Sequence, residues 1–265
     1  MTTPTRKVLI HEVNGRSRMK ADDVAVEAPL EIRLGNAAIC VTMRTPGEDA
    51  DLALGFLFAE GVIEGIDDVE SISHNAADAV TIALKGSART DVRRLQRNVF
   101  TTSSCGVCSA PSLDAIAHAT CPDLPREAPM VDPGVIHKLP DALKEAQATF
   151  KKTGGLHAAA LFDLEGNLLR LREDVGRHNA MDKLIGSCVR DGLSPLGEHI
   201  VLVSGRASYE LIQKALMARI PILAAVGAPS SLAIDLAQAH GMTLIGFVRE
   251  GRYNVYHGEA RLSHG

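Results

Sequence analysis

Ile200-Val201-Leu202-Val203-Ser204-Gly205-Arg206-Ala207-Ser208 reads as a continuous apolar strand running into a loop of small and polar residues. A helix follows from Tyr209 to about Arg219. Ile222-Leu223-Ala224-Ala225-Val226 is a second strand, Gly227-Ala228-Pro229-Ser230-Ser231 a second loop, and residues 232–240 a second helix. Residues 242–248 give a third strand, which ends in Arg249-Glu250-Gly251-Arg252-Tyr253-Asn254. Short uninterrupted runs of Val, Ile and Leu suit strands covered on both faces. The order β-α-β-α-β implies parallel strands joined by right-handed crossovers, hence an α/β fold.

Toward the N-terminus, Gly154-Gly155-Leu156-His157-Ala158-Ala159-Ala160-Leu161-Phe162 is a buried strand, and the Glu165-Gly166-Asn167 turn returns residues 168–171 as its hairpin partner. Glu173-Asp174-Val175-Gly176-Arg177-His178-Asn179 leads into a helix bearing Ala180, Met181, Leu184 and Ile185. Residues 140–152 read as a helix after a Pro-rich stretch containing Pro122, Pro125, Pro129 and Pro133. Residues 6–45 read as strands. Thr45-Pro46-Gly47-Glu48-Asp49 then opens a helix, with Thr45 placed as cap and Glu48 at capping-box spacing, and that helix ends before Gly61. A strand at 79–84 completes a small α+β domain, assigned to residues 1–98, and the α/β domain takes 99–265. Polar and basic residues 85–97 separate the small unit from the cysteine loop that follows, and there is no internal repeat.

The 265 residues are 46% hydrophobic and 23% charged, ample for a core. A net charge of -4, no Trp and 3% aromatics argue against a nucleic-acid protein, which needs cations for phosphates and rings for bases. No run approaches the roughly 18 apolar residues of a membrane span, and residues 1–20 hold no signal-peptide stretch. Five cysteines, an odd number, do not make a disulfide framework. A cytoplasmic, soluble protein is expected.

In open parallel sheets ligands bind outside the carboxyl ends of the strands. Three such ends are legible, at 204–208, 227–231 and 247–252. Ser204, Gly205, Ser208 and Ser230 stand at helix starts, where free N–H groups and the helix dipole favour an anion. Arg206, Arg249 and Arg252 add guanidinium forks suited to phosphate. Taken singly, each loop is ordinary capping and turn chemistry. Converging at one edge, they describe a pocket for a phosphorylated small molecule such as a nucleotide. No Gly-x-Gly-x-x-Gly or Walker-type run is present.

Thr101-Thr102-Ser103-Ser104-Cys105-Gly106-Val107-Cys108-Ser109-Ala110-Pro111 places two cysteines in a small-residue loop, with Ser109 or Ser112 positioned to cap a helix over about 113–119. A Cys-x-x-Cys pair is compatible with a redox couple, half a zinc site, a persulfide carrier or two inert thiols. Zinc deaminases use His-x-Glu and a later Pro-Cys-x-x-Cys. Here Asn179-Ala180 follows His178 and the cysteine pair comes earlier, so no stoichiometric zinc is expected. Cys40 and Cys188 read as buried small side chains, and Cys121 carries no assignment.

Several of these blocks resemble the formate dehydrogenase accessory sulfurtransferases, the FdhD family. They are Arg44-Thr45-Pro46-Gly47-Glu48-Asp49, Ser103-Ser104-Cys105-Gly106-Val107-Cys108, Gly154-Gly155-Leu156-His157, Glu173-Asp174-Val175-Gly176-Arg177-His178-Asn179-Ala180-Met181-Asp182-Lys183, Ser204-Gly205-Arg206 and Gly246-Phe247-Val248-Arg249. Ser109 departs from the pattern, since the family more often has Gly there. The resemblance implies a sulfur carrier. A cysteine desulfurase loads a persulfide onto Cys105 with Cys108 beside it, and the sulfur passes to a bis-molybdopterin guanine dinucleotide before that cofactor enters formate dehydrogenase. It further implies a homodimer, and a cytidine-deaminase-like α/β domain, without the zinc site, after the smaller α+β domain. The implied cofactor segment is Phe247, Val248, Arg249, Glu250, Gly251 and Arg252, with His178 and the Ser and Gly strand ends alongside. GDP is the expected mimic. A thiol-disulfide oxidoreductase and a non-catalytic cofactor chaperone are the rival readings.

Overall fold

The computed structural model describes residues 3–14, 17–76, 78–86 and 121–262. The Cys105–Cys108 loop, the helix expected over 113–119 and the boundary at 98/99 lie outside the described residues.

Strands β1 (Thr5–Val13) and β2 (Ser17–Ala25) form an antiparallel ribbon. A four-stranded sheet follows in the order β4-β3-β6-β5, built from β3 (Ala28–Leu34), β4 (Ala37–Arg44), β5 (Val69–Ala76) and β6 (Ala79–Leu84). On β3 the alternate residues Leu30, Ile32 and Leu34 are buried, the period-2 signature of a sheet with one face on a core.

Helix α1 (Asp49–Ala59) lies on this sheet, but Thr45 is not its cap. Gly47 and Glu48 both take positive φ, 110° and 52°, which delays the helix start and leaves Glu48 at the N-cap without a side-chain bond. Thr45 turns instead toward the other sheet. Its N–H donates to Asp174 Oδ2 at 3.0 Å, and its Oγ1 accepts from Val175 N at 3.1 Å.

The second sheet has six strands in the order β12-β11-β10-β9-β7-β8. Its members are β7 (His157–Phe162), β8 (Leu168–Asp174), β9 (Ile200–Val203), β10 (Ile222–Ala225), β11 (Thr243–Arg249) and β12 (Arg252–His257). The pairs β9–β10 and β10–β11 are parallel, as the crossover order requires, and antiparallel strands flank them on both sides. Residues 249–254, read from sequence as a strand-end loop, thus end β11, turn at Glu250-Gly251 and begin β12. The alternation of polar Arg252 and Asn254 with half-buried Tyr253 and Val255 carried that signal.

Alternation along the central strands divides the core. Val201, Val203, Leu223, Ala225 and Leu244 pack with helices α4 (Arg177–Arg190), α5 (Tyr209–Met217) and α6 (Ser231–His240). Ile200, Leu202, Ile222, Ala224 and Ile245 face Ile136, Leu139 and Leu143 of helix α2 (Pro133–Ala146) on the other side. Burial of each such Ile or Leu contributes about 1.5–3 kcal/mol relative to exposure, which is why these short strands are apolar throughout.

Helix α2 begins seven residues before the expected Pro140, because Asp132 caps it by accepting from Gly134 N at 2.6 Å and Pro133 fits its first turn. Pro140 sits inside the helix, where the missing N–H costs about 3 kcal/mol. The buried stripe of Ile136, Leu139 and Leu143 offsets it. A break at Gln147 separates α2 from the short helix α3 (Ala148–Thr153).

The two sheets meet through their helices. From Asn179 to Val189 every residue of α4 is buried, since the helix has the six-stranded sheet on one side and α1 on the other. The crossing is as close as backbones allow. A Cβ on Gly186 would lie 1.8 Å from Asp51 O, and one on Gly55 would lie 1.9 Å from Asp182 O.

Candidate functional site

The carboxyl ends of β9, β10 and β11, the start of β7 and the end of β8 form one rim of the six-stranded sheet. Helices α4, α5 and α6 all begin there. Hydrogen bonding continues past the strand ends. Ser204 N donates to Ala158 O at 2.9 Å, Gly227 N to Gly205 O at 3.0 Å and Phe247 N to Gly227 O at 3.1 Å. Gly227 is required by this stitching, because a Cβ there would meet Gly205 O at 2.9 Å.

The strand ends picked out from sequence therefore do converge, and their side chains take different tasks. Ser204 Oγ accepts from Ala158 N at 2.9 Å and so fixes the rim itself. Ser230 Oγ caps α6 by accepting from Ala233 N at 3.3 Å. Arg206 is exposed beside Gly205. Val248 is buried in the core at 1% exposure, which leaves its backbone at the rim. Phe247 is half-buried and holds φ at 55°, a left-handed conformation that costs a non-glycine residue about 1–2 kcal/mol. Such strain persists where surroundings impose it, often beside a ligand site. Arg249 and Arg252 face each other across the hairpin, with Glu250 and Gly251 as its exposed turn.

His178 lies in the first turn of α4. Its Nε2 is 3.2 Å from Ser208 Oγ and 2.8 Å from Glu210 Oε2. Both partners approach the same ring nitrogen, so the trio is not a nucleophile–base–acid relay, which needs the two nitrogens at opposite ends. It ties the starts of α4 and α5 together.

Three contributors were absent from the sequence-derived site: Glu210, His157 and Arg177. The His157 ring packs against the rim, with Nδ1 3.2 Å from the place a Cβ on Gly205 would occupy. Burial, then the nearby Arg177 and His178, hold its imidazole below the usual histidine range. Arg177 Nε is buried and has no hydrogen-bond partner among the described residues. Sequence places two His, an Arg and an Asp at the strand and helix boundaries of 154–157 and 174–179, which raises the odds of a site there, but only His178 was given a place in it.

Below the rim, Asp174 is fully buried. It accepts from Thr45 N, from Gly176 N at 2.9 Å and from Asn179 Nδ2 at 3.0 Å, and it pairs with Lys183 Nζ at 2.8 Å. Lys183 also donates to Thr45 O at 2.8 Å. These bonds lock the Arg44–Asp49 block to the 173–183 block.

Cys40, Cys121 and Cys188 are free thiols. Burial pushes Cys40 and Cys121 up to about 11 and raises Cys188 as well, which makes all three poor nucleophiles near neutral pH.

The profile of the FdhD/NarQ family matches residues 25–263. The chain belongs to the FdhD/NarQ family. The sulfur carrier protein FdhD of Streptomyces avermitilis is 48% identical over 97% of this chain and 95% of the relative. The FdhD of Mycobacterium tuberculosis is 48% identical over 89% and 90%, and that of the archaeon Sulfurisphaera tokodaii 43% identical over 95% and 96%. A solved structure from Desulfotalea psychrophila, provisionally described as a formate dehydrogenase accessory protein, superposes with a TM-score of 0.76 over 98% of both chains. At 23% identity that likeness speaks for the FdhD fold alone.

Proposed function

We propose that this chain is a sulfur carrier acting in the maturation of formate dehydrogenase. The observation that carries the reading is its near-full-length similarity, at 43–48% identity, to relatives named sulfur carrier proteins. In the proposed reaction the Cys105 thiolate attacks the terminal sulfur of a cysteine desulfurase persulfide. The desulfurase cysteine leaves as thiolate, and Cys105 becomes the persulfide. That sulfur then passes to bis-molybdopterin guanine dinucleotide, the substrate held at the rim. Cys108 shields the loaded sulfur or exchanges with it.

Two features support this reading. The other cysteines, Cys121 and Cys188 buried and Cys40 half-buried, are suppressed as nucleophiles, leaving sulfur chemistry to the pair. The rim is polar, glycine-rich and fed by three helix starts, which suits the pyrophosphate groups of a guanine dinucleotide. Kinship with cytidine deaminases belongs to the same proposal, supported by a β7–β8 hairpin leading through α4 into parallel β9, β10 and β11. So do the homodimer and the cytoplasmic setting. Among the described residues no helix is long and apolar enough to cross a membrane.

Intact mass after incubation with a desulfurase and cysteine tests the carrier role. Wild type gains one sulfur, lost on reduction. Cys105→Ala gains none and leaves formate dehydrogenase inactive in a reconstituted system, whereas Cys108→Ala loads sulfur and transfers it poorly. Loading and active dehydrogenase with Cys105→Ala overturn the carrier assignment in favour of a cofactor chaperone.

A further inference from the structure

A cleft of about 340 Å³ opens beside the rim, under the α2–α3 break. Its walls include Gln147, Phe150, Gly154, Gly155, His157 and Ser204. We propose that this cleft and Arg177 beside it form an anion subsite for a phosphate group, distinct from the hairpin arginines. The proposal rests on the reading of the rim as a nucleotide site and assigns the ligand's phosphate end to it.

The first argument is unspent hydrogen-bonding capacity. Gln147 is 5% exposed, lines the cleft and has an Nε2 with no partner. A buried amide donor left unsatisfied costs about 1–3 kcal/mol, a cost that an incoming oxygen removes. Arg177 Nε is in the same condition, and no described carboxylate forms an ion pair with this guanidinium. The acidic groups around it are already engaged. Asp174 pairs with Lys183, Glu210 with His178, and Glu173 accepts from Thr149 N and Phe150 N at the start of α3. A partly buried guanidinium with no ion-pair partner among the described residues, at the start of the 14-residue α4, adds side-chain charge to helix dipole, and both favour an anion.

His157 links the cleft to Arg177. His157 lines the cleft and packs on Gly205, and the Arg177 Cδ lies 4.0 Å from the same virtual Cβ on Gly205. Glycine at 154, 155 and 205 leaves backbone, not side chains, along this path. From β11 to β7 the rim spans three strand spacings, about 14 Å. That is on the order of the extended length of a nucleoside diphosphate, so a ligand with one end at β11 has its other end near β7, where the cleft opens. The depressed imidazole of His157 gives a reporter, since an anion arriving here restores its affinity for a proton.

Calorimetry with GDP, guanosine and inorganic phosphate tests the assignment in wild type, Arg177→Gln and Arg177→Lys. Wild type is expected to bind GDP, and Arg177→Gln to bind it at least tenfold more weakly while guanosine affinity stays unchanged. Arg177→Lys, which keeps the charge and loses the fork, should fall between them. By NMR the His157 titration should move to higher pH with GDP and stay in place with guanosine. Phosphate alone producing the same shift also supports the subsite and names free phosphate as a second source. GDP binding by Arg177→Gln and Arg177→Lys equal to wild type, with His157 unmoved, overturns the subsite and leaves the nucleotide reading intact. Absence of GDP binding by wild type overturns the nucleotide reading itself.

Discussion

Lys183 Nζ sits 2.8 Å from Asp174 Oδ2, with both side chains fully withdrawn from water. Losing one partner of such a pair costs about 3–5 kcal/mol. The two losses should not be equal. Without Lys183, Asp174 keeps three N–H donors, whereas without Asp174 the ammonium keeps, among the described residues, Thr45 O and Glu48 at 3.8 Å. Asp174→Ala is expected to cost more than Lys183→Met in urea unfolding, and the reverse order would show that the backbone donors do not carry the carboxylate.

The glycine contact between α1 and α4 predicts a second asymmetry. Gly186→Ala places a methyl against the carbonyl of Asp51, a backbone atom that moves only with the helix. The cost should reach or exceed the upper end of the about 1–3 kcal/mol typical of overpacking. Gly65→Ala, with nothing within 4 Å of its Cβ, is the control and should change stability by less than about 0.5 kcal/mol. Thermal melts of the two variants decide it.

His157 predicts a pH dependence. Burial, then the nearby Arg177 and His178, lower its folded-state affinity for protons, so the unfolded chain binds more protons just below the ordinary histidine value of about 6.5. Its contribution to stability is present above that value and declines as pH falls through the lower folded value. His157→Gln should therefore flatten the stability profile between about pH 7 and pH 5. An unchanged slope would remove His157 from the account.

At the other end of the rim, Arg249→Ala or Arg252→Ala should weaken GDP binding by about 1.5–3 kcal/mol, the worth of a charge-assisted contact. Guanosine sorts the origin of the loss. If guanosine weakens equally, the hairpin holds the base. If only GDP weakens, it holds a phosphate. No change in either moves the ligand off the hairpin.

Elemental analysis of the purified protein should find no stoichiometric zinc, because His178 is followed by Asn179-Ala180 in place of His-x-Glu. One zinc per chain, lost on replacing Cys105 and Cys108, would refute this.

The parallel centre of the sheet was legible because both faces are covered, so β9, β10 and β11 carry uninterrupted apolar runs. Edge strand β12 was harder to see, since its outer face alternates with polar residues and follows a turn that itself resembled a binding loop. Pro140 masked the start of α2 because a strong local preference was outweighed by tertiary burial of Ile136 and Leu139. Thr45 was misplaced for a related reason. Its sequence context is that of a cap, but the partner that claims it, Asp174, is 129 residues away. At the rim, Gly and Ser marked the loops correctly. Arg177 stood out only as one of several polar residues at a helix boundary and received no role, because its significance is a missing partner, and sequence does not display missing partners.

Backbone bonds that run on past the ends of β9 and β10 and tie them to β11 have a kinetic consequence. A surface already fixed by its own amides has little ordering entropy left to lose on contact. Ligand capture at this edge should then proceed at a rate set by encounter and charge, without a preceding rearrangement. The amides of Gly227 and Phe247 should exchange slowly with solvent deuterium even in the unliganded protein.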